Sequence, residues 1–186
     1  VFASPRSLVL AGAVLITMLI AISTPAVLHG DLRSQVDRFT TGVNGNQNAD
    51  LIEQDTWLIC KEFPADYFAP YVASSRLFAL EGATPRTRKW LNRSLYIGPK
   101  FAPSHLLGAR ILLSLGASKQ ALTEYRLALQ YDPTRAFAIA TQVHKRLGQL
   151  EPIAELNPPD DDSAYSLMRF LLDKKATKLA TKLFEK

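Results

Sequence analysis

Apolar residues are distributed along this chain in two contrasting ways. From Leu8 to Leu28 they are nearly continuous: LVLAGAVLITMLIAISTPAVL is a run of 21 residues without a charge. At roughly 1.5 Å per helical residue such a run spans the hydrocarbon of a bilayer. It reads as a transmembrane helix, with a signal peptide cleaved near Thr24-Pro25-Ala26 as the alternative. From residue 51 onward apolar positions instead recur at three and four, the spacing of amphipathic helices, and nowhere alternate convincingly as a strand would. Leu51, Trp57, Leu58 and Cys60 form the first such stripe, which Pro64 ends. Segments of about a dozen residues follow, punctuated by glycine and proline, the pattern of short antiparallel helix pairs. The fold class expected is therefore all-α. Residues 1–30 form an anchor, residues 31–50, broken by TTGVNGNQNAD, form a flexible linker, and residues 51–186 form a helical domain.

Sliding the chain against itself by 34 residues organises that domain. Gly82 meets Gly116, Ala83 meets Ala117, Leu95 meets Leu129, Pro99 meets Pro133 and Arg76 meets Arg110, all identical. Ser75 with Ala109, Phe78 with Leu112, Leu91 with Tyr125, and Ser94 with Ala128 conserve size. A 34-residue period with this alternation predicts a helix-turn-helix unit that must stack on its neighbours to bury its apolar face. Gly82 and Gly116 allow the turn inside each unit, and Pro99 and Pro133 end the second helices. Ala109, Ala121 and Ala128 permit close helix approach beside the bulk of Tyr125. Beyond Pro133 the period slips. Gly148 lies two residues early, Pro152 interrupts a stunted second helix, and SAYSLMRFLLDKKATKLATKLFEK reads as a further helix pair turning near Asp173.

These residues carry a resemblance to the tetratricopeptide repeat. The unit Ala102 to Thr134 matches best, through Ala109, Leu112, Gly116, Ala121, Tyr125, Ala128 and Pro133, and the unit Phe68 to Phe101 is second. Tyr71 supplies the usual bulky residue of the first helix, where the next unit has His105. The resemblance implies an α-solenoid whose first helices line a concave groove, and a role in binding proteins. In its layout, an apolar helix and a broken linker before the repeats, the chain also resembles the tail of bacterial O-antigen ligase-like membrane proteins. Val1 in place of Met is compatible with a piece of such a protein.

Charge and chemistry add little that points to catalysis. A net charge of +5 with scattered cations gives no tract for nucleic acid, so no nucleic-acid partner is expected. Cys60, the single cysteine, reads as a small buried apolar residue. His29, His105 and His144 are far apart and read as interfacial or helix-surface residues, so neither a metal site nor a cofactor is expected. Asp160-Asp161-Asp162 before Ser163 reads as an acidic helix start. Lys174, Lys178, Lys182 and Lys186 recur every four residues, a solvated face opposite Leu179 and Leu183 or, alternatively, a surface for anionic lipid or an acidic partner. Arg76 and Arg110, one repeat apart, either solvate their helices or form a cationic ladder in the groove, with Val72, Ala79, Leu106 and Leu113 as the apolar ground beside them.

The expectation is thus a non-enzymatic, single-pass membrane scaffold or assembly subunit that binds an acidic protein or peptide segment. Arg6 before the apolar run, and mixed charges after it, favour a periplasmic or extracytoplasmic domain at an inner membrane. The alternatives are the non-catalytic tail of a glycan-transferring enzyme and a structural subunit of a larger membrane complex, packed through Ala11, Gly12 and Ala13.

Overall fold

The computed structural model describes residues 48–184, and the anchor segment 8–28 lies outside them. The described chain is all-helical, with short turns between helices that pack on one another. None of the described helices is long and apolar enough to cross a membrane. Asn48 caps helix α1 (Ala49–Glu62) by accepting from the Asp50 amide, so the last residues assigned to the linker are already helical.

Two hairpins follow, each a pair of helices in extensive mutual contact: α2 (Phe68–Glu81) with α3 (Pro85–Ile97), and α4 (Ala102–Ser114) with α5 (Ser118–Tyr131). Their starts lie 34 residues apart, at Phe68 and Ala102. Local chemistry explains the boundaries. Asp66 accepts from the amides of Phe68 and Ala69 at the head of α2, while Thr84 accepts from the Thr87 amide ahead of Pro85 at the head of α3. Gly82 turns between α2 and α3 at φ 75°, ψ −151°, a region open in practice only to glycine. Gly116, at φ 77°, closes α4 by a Schellman pattern, the Ala117 amide donating to the Leu112 carbonyl and its own amide to that of Leu113.

The interior of the hairpins is dense. Ala109, Ala121, Tyr125 and Ala128 are fully buried where α4 meets α5. In the first hairpin the small buried residue is Ser74, not Ser75, and its hydroxyl donates 2.9 Å to the Thr87 carbonyl. Its mate 34 positions on is Gly108, where an added Cβ would stand 3.6 Å from both Leu91 and Glu124. Helix α1 lies against α2 and reaches α3 through an edge-on contact of Trp57 with Trp90, centroids 5.3 Å apart. Ion pairs of Arg86 with Asp50 and of Lys89 with Glu53, each 2.8 Å, line the same seam. Cys60 is buried behind it, and desolvation pushes its thiol pKa up against the charge of Arg93.

Past Pro133, which opens a turn of 3-10 helix, the second helix of the third unit shrinks to α7 (Glu151–Ala154) after α6 (Ala136–Leu147). Pro152 occupies the first turn of α7 rather than interrupting a longer helix. With that partner stunted, α6 packs chiefly on α8 (Asp161–Asp173), which pairs with α9 (Thr177–Phe184). The α8–α9 hairpin repeats the plan of α4–α5 at a different spacing. Ala102 and Asp161, Gly116 and Lys175, and Ala121 and Ala180 are each 59 positions apart. Lys175 adopts φ 60° and the Ala176 amide donates to the Leu171 carbonyl, the same backbone turn that Gly116 makes. Asp160 caps α8 through the Ser163 amide at 2.8 Å, and the Ser163 hydroxyl and amide together hold its carboxyl below the usual range. Lysines 174, 178 and 182 do not share one helix: Lys174 lies in the α8–α9 turn, Lys178 and Lys182 lie on α9, and Lys186 is outside the described residues.

Candidate functional site

The first helices of the two clear hairpins, α2 and α4, touch, and a hollow of about 120 Å³ opens on their shared side. Tyr71 and Ser75 of α2 and Pro103, Leu106, Leu107 and Arg110 of α4 line it, together with Arg135 and Gln142. Helical spacing explains the set: Tyr71 with Ser75, and Leu106 with Arg110, are i and i+4 pairs on one helix face. Arg110 spans the seam, its guanidinium carbon 5.5 Å from the ring centre of Phe78 on α2, a cation–π contact between the two helices.

The electrostatics are cationic. Burial raises the pKa of the Tyr125 hydroxyl, and the charges of Arg146 and Arg110 both act on it in the opposite direction. Arg110 and Arg135 put positive charge on this face, with Asp132, ion-paired to Arg135, as a local counter-charge. The bonds from Thr134 and Arg135 hold the Asp132 carboxyl below its usual range. No metal-binding cluster of His, Cys, Asp or Glu occurs among the described residues.

Of the groove residues read from the sequence, Arg110 and Leu106 line the hollow. Arg76 does not line it; it is half-buried, engaged in the fold, and burial draws its pKa down. Val72, at 7% exposure, belongs to the core and offers no open ground, because it points between helices rather than out of the face. Ala79 is exposed but outside the hollow, and Leu113 packs half-buried on the C-terminal core. Arg135 and Gln142 escaped the sequence reading. The 34-residue register held a clue to the first, since Arg135 is the mate of Phe101, whose ring stands 5.2 Å from that of Tyr71.

His105 is not a surface residue. It is 6% exposed, its Nδ1 lies 2.7 Å from Glu124 Oε2 on α5 and its Nε2 2.8 Å from the Pro99 carbonyl. The departure from Tyr71 thus replaces bulk with a buried polar pair, and it is linked to the turn at Pro99 rather than weakening the packing there. His144 is half-buried, with its Nδ1 sealed from solvent. Compared with models of protein families, with characterised proteins and with solved structures, the chain matches none.

Proposed function

We propose that this chain is a membrane-anchored, tetratricopeptide-like scaffold whose helical domain holds an acidic segment of a partner protein along the α2–α4 face. The observation that carries the reading is the hollow lined by Arg110 and Arg135 together with Ser75 and Leu106. An aspartate or glutamate side chain fits such a place by size and sign, and guanidiniums bind carboxylates by two parallel bonds. Tyr71 and Leu106 supply apolar surface on which the neighbouring part of the segment rests. The uncharged run 8–28 supplies the membrane hold, and the helical domain acts on the extracytoplasmic side by binding rather than by chemistry.

A fluorescent peptide rich in glutamate, added to the full chain in detergent, tests this by anisotropy. Arg110→Ala combined with Arg135→Ala is expected to weaken binding by about tenfold or more, from the loss of two charge-assisted contacts. Raising the salt should weaken the unaltered protein steeply and the variant only slightly, since screening acts on the charges that the variant lacks. Equal affinity and equal salt dependence in the two proteins would remove the hollow as the binding place.

A further inference from the structure

The His105 pair sits at the joint where one hairpin passes to the next. Gly98 to Phe101 connects α3 to α4, and an added Cβ at Gly98 would stand 2.6 Å from Tyr67 Cγ, so the joint is tightly packed. His105 binds the Pro99 carbonyl of this joint with one ring nitrogen and Glu124 of α5 with the other, while its ring lies 5.3 Å from that of Tyr131. A carbonyl only accepts, so Nε2 must donate. A carboxylate also only accepts, so the contact at Nδ1 needs a proton too, whether the imidazole or Glu124 carries it. Both bonds exist together only while the pair holds one proton more than a neutral imidazole facing an ionised carboxylate.

We propose that His105 and Glu124 form a proton-operated latch on the joint between successive hairpins. With the shared proton in place the latch ties the Pro99 turn to α5 through α4. When it leaves, one of the two contacts becomes acceptor against acceptor and opens. The consequence for the binding hollow, which α4 lines, rests on the function proposed above; the latch itself does not.

The sign of the pH dependence follows from the groups that meet the ring. Desolvation pulls the imidazole pKa down, but the bond to Glu124, the bond to Pro99 and the Glu124 charge together outweigh it, leaving the pKa above the ordinary 6.5. Glu124 is the charged group acting on it and Tyr131 the other titratable group in contact, both from α5; from the turn after α3, which also carries Lys100, the Pro99 carbonyl binds the ring. A histidine pKa raised on folding stabilises the folded chain fully below about 6.5, and that contribution is lost as pH rises through the folded value.

The test is nitrogen NMR of histidine-labelled full chain in detergent, with His105 assigned from the signals missing in His105→Asn. Expected are a doubly protonated ring at pH 6, a midpoint above the ordinary 6.5, and a downward shift of that midpoint by about one unit or more in Glu124→Gln. Amide exchange at Lys100 and Phe101 should rise at the same midpoint, beyond the intrinsic increase with pH, in the unaltered protein. A singly protonated His105 ring at pH 6, with no proton shared with Glu124, would overturn the latch. So would unaltered exchange at the joint as His105 titrates, a result read on the unaltered protein without any variant.

Discussion

The hairpins α2–α3 and α4–α5 occupy corresponding stretches of the 34-residue period, yet they are fastened by different chemistry. In the first, Ser74, Thr87 and Ser94 are fully buried, and each hydroxyl has a partner: the Thr87 carbonyl, the Gly82 carbonyl and the Tyr67 carbonyl, at 2.9, 2.8 and 2.8 Å. Ser94 spends its one proton on Tyr67, so Ser104, 2.8 Å away, donates to it. In the second, the corresponding residues are Gly108, Ala121 and Ala128, and the seam joins the large apolar core that runs on to α9. The comparison shows what the repeat specifies. It fixes side-chain size at the close approach and leaves polarity open, provided that a backbone carbonyl is within reach of any hydroxyl placed there.

The largest effect that follows is at the apolar seam. Ala128→Trp forces an indole into a contact with no exposed atom, at a cost of about 3 kcal/mol or more, and should lower the thermal midpoint by many degrees or abolish folding. Ser94→Ala at the equivalent polar position keeps the size but strands the Ser104 hydroxyl and removes one of two bonds to the Tyr67 carbonyl, which still accepts from the Tyr71 amide. It should cost about 1 to 2 kcal/mol in denaturant unfolding. An unchanged midpoint for the first, or a gain in stability for the second, would break the assignment of size to one seam and of bonding to the other.

A smaller change of opposite sign sharpens the same point in the third hairpin. Lys175 holds the left-handed conformation that Gly116 holds 59 residues earlier, and it is exposed, so its side chain contributes little packing. Lys175→Gly should therefore stabilise the chain, by up to about 1 kcal/mol, whereas Gly116→Ala should destabilise it by a similar amount. Both are read as shifts in the denaturation midpoint at constant slope.

The 34-residue register made α2 to α5 legible because their spacing was written in glycine, proline and size. The hairpin α8–α9 preserves the backbone turn without the residues that announce it: a lysine replaces glycine at the left-handed position, and α8 starts 59 residues after α4, off any multiple of 34, because the intervening unit α6–α7 has a shortened second helix. The period therefore revealed a helix pair near Asp173 only as two amphipathic stripes. Of the hollow, the part on α4 was legible through Arg110, since charge at a repeated position is a visible signal. Arg135 was hidden in a turn, and the pairing of His105 with Glu124 depends on how closely α4 and α5 approach, which spacing alone does not give. Val72 misled because periodicity names the face of a helix but not how far its neighbour covers that face.

The central claim is that the α2–α4 face is where a partner binds. Amide NMR of the full chain in detergent, titrated with the glutamate-rich peptide, tests it residue by residue. The account predicts saturable shifts centred on Ser75, Arg110, Arg135 and Gln142, with little change at Lys61 on α1 or Lys178 on α9. Shifts centred on α9, or spread evenly over the exposed lysines and arginines, would contradict it.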